Sequence, residues 1–138
     1  KEELQQLKIG LESRLKDNVG LLSGGQRQAL TLLMTVLSKP QMLLLDEHTA
    51  ALDPRNAQIV MELTTEFITK YNLTTLMVTH NMQHAITYGN RLIMMDEGKV
   101  ILDVKGEEKK KLSVPKLVEL FKTIKNQEYS SDEDLLAP

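Results

Sequence analysis

QMLLLDE, residues 41–47, sets four apolar side chains in a row and stops them with two carboxylates. An apolar run of this length without helical spacing predicts a strand buried on both faces, the habit of a parallel sheet. Lys39-Pro40 ends whatever precedes it. A second run of the same kind, TTLMVT at 74–79, follows downstream. Between the two lies a helical pattern over 55–71, opened by Asp53-Pro54 with proline close to the first helical position. Strand, helix and strand in alternation predict an α/β fold with a mostly parallel sheet flanked by helices. Ligands in such folds bind beyond the carboxyl ends of the strands. Both runs end in reactive side chains, Asp46-Glu47 after the first and His80 after the second. Parallel neighbours would bring these three to one edge.

Working outward, residues 24–38 predict a helix with Ser23 as its N-cap. Its face LTLLMTVL is unusually apolar and is expected to pack within its own subdomain, with contact to another subunit as the second reading. Leu4, Leu7, Leu11 and Leu15 recur at helical spacing and predict an amphipathic helix over 2–16, weakened by Gly10. Asp17–Gly20 is a turn. Residues 81–88 predict a short helix. Residues 91–96 and 99–104 predict two strands joined by Glu97-Gly98 as a hairpin. EEKKK at 107–111 is a charged patch. Ser113–Asn126 predicts a last helix, with Leu117, Leu120, Phe121 and Ile124 on one face and an acidic, frayed end at 127–138. The seven methionines are scattered and read as core filler.

Composition removes several functions. A net charge of −2 with no basic stripe argues against general nucleic-acid binding. The absence of cysteine excludes disulfides, thiol catalysis and Cys-based zinc sites. No apolar run approaches the roughly 20 residues of a bilayer span. No stretch reads as a secretory signal. The chain starts at Lys1 rather than Met, which fits a piece of a longer protein.

Three short stretches carry chemistry, and each has two readings by itself. Gly20-x4-Gly25 has the glycine spacing of a P-loop. Gln26-Arg27 follows in place of Lys-Ser/Thr, and a turn rather than a strand precedes, so the P-loop reading fails. Ser23-Gly24-Gly25 remains, either as a plain capped helix start or as a place where bare N–H groups and the helix dipole attract an anion. Asp46-Glu47 is either a strand leaving the core or a divided pair. In the divided pair, the first carboxylate holds Mg²⁺ and the second takes a proton from water. His80 is either a hydrogen-bonded structural residue or a phosphate contact.

Taken together, LSGGQ (22–26), MLLLDE (42–47), ALD (51–53) and VTH (78–80) resemble, in order and spacing, the ATP-binding-cassette ATPases. They match that family's signature motif, Walker B strand with its glutamate, D-loop and switch histidine. The resemblance runs from about Val19 to about Leu102. It implies a P-loop NTPase-like (RecA-like) fold, of which this chain would hold the C-terminal half of the core and the end of the helical subdomain. The implied divisions are 1–40 for the helical subdomain, 41–104 for the core and 105–138 for a C-terminal helix and tail. It implies a head-to-tail dimer in which Ser23, Gly24, Gly25 and Gln26 meet the γ-phosphate of a partner's ATP. Asp46 would then help hold Mg²⁺, Glu47 would be the general base, Asp53 would communicate across the dimer, and His80 would contact the γ-phosphate.

The resemblance further implies the ATPase of a membrane transporter, an importer by the look of residues 74–101, on the cytoplasmic face of the cell membrane. The implied partners are a second ATPase subunit, membrane-spanning permease subunits and a solute-binding protein, with no nucleic acid. A non-transport cassette of DNA repair or translation and a non-catalytic half-site partner are the alternatives. The family's P-loop and glutamine loop lie upstream of the signature and are not in these residues, so the chain alone is expected to be inactive. His48 stands where the family usually has proline, Ala50 where serine is frequent, and Ala29 where arginine is common. His48 is either a tolerated loop substitution or a neighbour that tunes Glu47.

Overall fold

The structure is a computed structural model that describes residues 4–5 and 9–136, with side chains described as far as residue 125. It forms two compact units, Lys1–Val78 and Thr79–Pro138.

In the first unit, helix α1 (Gly24–Leu37) leads to strand β1 (Met42–Asp46), helix α2 (Pro54–Tyr71) and strand β2 (Thr74–Val78). β1 and β2 are parallel, with Met42 beside Thr74 and Asp46 beside Val78. The expected α/β arrangement is therefore present. One face of the pair packs on the helices. Leu43 and Leu45 join Leu32, Leu33 and Val36 of α1 and Val60, Leu63 and Phe67 of α2 in a single buried cluster. Phe67 is wholly buried, and burying such a ring contributes about 1.5–3 kcal/mol. The apolar character of α1 is thus mostly spent inside its own unit, although Met34 and Leu37 stay exposed. The other face of the strands is apolar and open: Met42, Leu44, Leu76 and Val78 are each about half exposed or more.

Asn72 closes α2 in the left-handed region at φ 48°, and Leu73 N–H returns to Ile68 O at 3.0 Å. That is a common helix ending, and asparagine tolerates it better than most residues.

The chain before α1 departs from the expected long helix. Residues 4–5 are helical, Gly10 turns into the left-handed region at φ 76°, and a single 3-10 turn covers Leu11–Ser13. A glycine free to adopt that conformation ends the helix that the leucine spacing suggested. Leu7 lies outside the described residues. Leu11 still reaches the core.

The second unit holds helix α3 (Met82–Thr87), strands β3 (Arg91–Asp96) and β4 (Lys99–Lys105), helix α4 (Gly106–Lys110) and helix α5 (Val114–Leu136). β3 and β4 are antiparallel with a bulge at Met94/Met95. Glu97 and Gly98 have φ 46° and 78°, the positive pair that a tight two-residue hairpin needs. Arg91 grips Asp103 across the hairpin with two bonds of 2.8 and 2.5 Å. That contact raises the arginine and lowers the aspartate from their ordinary titration ranges.

Two expectations change in this unit. The charged patch is a short helix, α4, and Lys109 on it is buried. Its ammonium donates to Ile86 O and to Tyr88 O at the end of α3, where unpaired carbonyls attract cations. Desolvation lowers its pKa. The frayed end is helix as far as Leu136. Lys125 on α5 is ion-paired with Asp96 and Glu97 of the hairpin, which raises its pKa. Nor are the methionines uniformly core filler: Met61 is fully buried, whereas Met34, Met42 and Met95 are exposed.

Candidate functional site

Ser23 opens α1 with a complete capping box. Its hydroxyl accepts from Gln26 N–H at 3.2 Å, and the Gln26 carbonyl oxygen accepts from Ser23 N–H at 3.0 Å. The amide of Gln26 is otherwise engaged inside the chain, donating to Ile9 O at 3.2 Å and accepting from Arg14 at 3.4 Å. Gln26 therefore shapes the turn and ties it to the preceding 3-10 segment. The intrahelical ladder begins with Arg27 N–H on Ser23 O, so the N–H groups of Gly24 and Gly25 have no intrahelical acceptor.

The two glycines are needed for space as well. A Cβ on Gly24 would stand 3.3 Å from Leu52 Cδ2, and one on Gly25 only 2.9 Å from Asn56 Cβ and Cγ. The start of α1 thus lies directly on the start of α2. There Asp53 is the N-cap, accepting from Asn56 N–H at 3.1 Å and from the Asn56 side-chain amide at 2.5 Å. These bonds, led by the backbone N–H of Asn56, hold the Asp53 carboxyl below the usual carboxylate range. An open depression of about 310 Å³ lies beside the junction, with Ser23, Gly25, Arg55 and Asn56 in its wall.

Asn56 cannot move aside freely, because Asp53 holds it. Gly25→Ala is therefore expected to overpack the junction and lower stability by about 1–3 kcal/mol. The shift would be read as a lower midpoint of thermal unfolding; an unchanged midpoint would mean that α1 slides on α2 at no cost.

Asp46 ends β1 with an exposed side chain, and Glu47 extends the ladder by one bond, Glu47 N–H to Val78 O at 3.0 Å. Glu47 itself is left-handed, φ 43°. His48 follows, with Nε2 3.1 Å from Thr64 Oγ1 on α2. Among the described residues no group of three or more His, Asp or Glu side chains could hold a metal. Asp46 alone still fits Mg²⁺, which is bound through one or two carboxylates and completed by water and phosphate oxygens.

His80 lies in the second unit, between two pinned neighbours. Thr79 Oγ1 accepts from Asn81 N–H at 3.1 Å, and Asn81 Oδ1 caps α3 by accepting from His84 N–H at 3.0 Å. His84 is half-buried and edge-on to Tyr88 at 5.7 Å.

The structure therefore gathers Ser23, Gly24 and Gly25 with Asp53, and sets Asp46 and Glu47 at the end of the β1–β2 pair. Asn56 and Thr64 were missed from sequence. Asn56 was legible, because it stands three residues after the capping Asp53 at the position where a helix start is reinforced. Thr64 gave no local signal.

The family model described as ABC transporter matches residues 1–50. The tyrosine transport ATP-binding protein of Clostridioides difficile is 52% identical over 118 residues, covering 86% of this chain and 47% of that protein. This chain belongs to the ABC transporter family of ATP-binding proteins. The methionine import ATP-binding protein MetN 2 of Oceanobacillus iheyensis is 36% identical over 91% of this chain and 36% of its own length. A crystal structure of an ABC transporter's ATP-binding cassette in its ADP conformation superposes with a TM-score of 0.68 at 32% identity, over 87% of this chain and 47% of that one. The chain thus spans about half the length, or less, of the relatives it matches. The cassette family binds nucleotide, as that ADP-bound relative shows. No helix among the described residues is long and apolar enough to cross a membrane.

Proposed function

We propose that this chain is the C-terminal half of the ATP-binding subunit of a membrane transporter, one that hydrolyses ATP at a head-to-tail dimer interface to drive import. The observation that carries the reading is the junction of α1 and α2. Two N–H groups without intrahelical acceptors lie at a helix start stripped of Cβ atoms, which suits the phosphate of a partner's ATP. Asp53, tied down beside it, suits a contact across the same interface. In this reading Ser23, Gly24 and Gly25 meet the γ-phosphate, and Gln26 keeps their turn in shape. Asp46 holds Mg²⁺, which supplies charge neutralisation of the phosphates when bound. Glu47 takes the proton of the attacking water, and His80 reaches the γ-phosphate. Positioning and charge stabilisation do most of the work in such a transfer.

The names of the relatives support transport over DNA repair or translation, and two of them denote amino-acid systems. Permease subunits in the membrane, a solute-binding protein and a place on the cytoplasmic face follow from the same reading. The open apolar face of β1 and β2 supports the view that more chain completes the core.

Phosphate release from Mg-ATP is the direct test. The complete cassette is expected to turn over ATP and to stop when Mg²⁺ is chelated, while residues 1–138 alone show no turnover. A complete protein that binds ATP but never hydrolyses it would make this a half-site partner instead.

A further inference from the structure

Glu47 stands in the left-handed region at φ 43°. An L-residue is strained there, and the conformation persists only where its surroundings impose it. Two backbone bonds help. Glu47 N–H donates to Val78 O at 3.0 Å, and Glu47 O accepts from Ala50 N–H at 2.9 Å.

The next side chain adds a third anchor. His48 Nε2 lies 3.1 Å from Thr64 Oγ1. Thr64 is wholly buried, and its hydroxyl donates to Val60 O at 2.7 Å. A hydroxyl has one hydrogen, and Val60 O takes it. Thr64 Oγ1 can then only accept, so His48 Nε2 carries the hydrogen and donates. The relay from His48 through Thr64 to Val60 O has one direction.

Its effect is to close a loop. Residues 47–53 are fixed at one end by Asp53 at the start of α2, and at the other by His48 on the body of the same helix. We propose that His48 is a positioning residue for Glu47: its bond to Thr64 holds the strained backbone that aims the Glu47 carboxylate at the attacking water. The proposal rests on Glu47 being the general base.

The test is a double-mutant cycle on ATP hydrolysis by the complete cassette. His48→Ala and Thr64→Val are each expected to lower kcat about tenfold, as a misaimed base does, with KM for ATP within about twofold of normal. The double variant is no slower than either single one, because one bond is lost only once. His48→Gln, whose amide nitrogen reaches the place of ring Nε2, recovers most of kcat, and His48→Asn, which stops short, does not. Thr64→Ser keeps the hydroxyl and keeps kcat.

Losses that multiply in the double variant, or a Thr64→Val enzyme with normal kcat, overturn the proposal. If Thr64→Val does not fold, the contrast between His48→Gln and His48→Asn decides, and equal rates for those two overturn it. Glu47→Gln, assayed alongside, separates the two claims. Normal turnover by that variant removes the base assignment, whereas an inactive Glu47→Gln beside a normal Thr64→Val removes only the role of His48.

Discussion

Glu47→Gln is expected to stop steady ATP turnover by the complete cassette while leaving its ATP-driven dimerisation intact. The amide has the shape of the carboxylate and the same reach, but it cannot take a proton from water. Removing a general base costs on the order of 100- to 10,000-fold in rate. The fold has little reason to notice. Residue 47 is exposed, and its backbone bonds to Val78 and from Ala50 do not involve the side chain. Dimerisation is expected to persist or strengthen, because a neutral amide replaces a negative charge near bound phosphates. Phosphate release and sedimentation in ATP give the two readouts together. Turnover close to normal would take Glu47 out of the base role. Loss of both turnover and dimer would mean that the substitution disturbs the 47–53 loop as a whole.

Much of the fold was legible because its signals are local. MLLLD has the length and composition of a buried parallel strand, and it forms one. Ser23 and Asp53 are side chains that satisfy orphan N–H groups, and helices start at both. Glu97-Gly98 makes the expected hairpin, since glycine removes the strain of one positive φ and the turn tolerates the other.

The misses have a common physical cause, which is that the deciding partner is distant in sequence. Lys109 sits in a run of charges that reads as solvated surface. It is buried because its ammonium reaches the carbonyls of Ile86 and Tyr88, more than twenty residues earlier. Thr64 looks like an ordinary helix residue until His48 arrives on it from the loop. Gly10 is the exception, a local signal outweighed by four leucines at helical spacing. One left-handed residue sufficed to end the helix they suggested.

Ser23 can be made to separate its two possible jobs, capping a helix and meeting a phosphate, by two substitutions with opposite effects. Ser23→Asp keeps the cap, because aspartate accepts from Gln26 N–H as well as serine does and its charge suits a helix N-terminus. Thermal stability is therefore expected to hold or rise. The same carboxylate would occupy the space in front of the Gly24 and Gly25 N–H groups and repel an incoming phosphate. Two like charges about 4 Å apart near a protein surface repel by about 4 kcal/mol, so ATP-driven dimerisation is expected to weaken roughly 1,000-fold. Ser23→Ala does the reverse. It loses the 3.2 Å bond to Gln26 N–H and about 1 kcal/mol of stability, yet leaves the glycine N–H groups bare and the space open, so dimerisation is expected to stay within about tenfold of normal. Sedimentation in ATP and thermal unfolding, measured on both variants, give four results that only one assignment fits. If dimerisation follows stability, with Ser23→Ala the weaker of the two, Ser23 is a cap and nothing more. If Ser23→Asp is stable but monomeric in ATP, the turn at Ser23–Gly25 meets phosphate, because no loss of folding is left to explain the loss of the dimer.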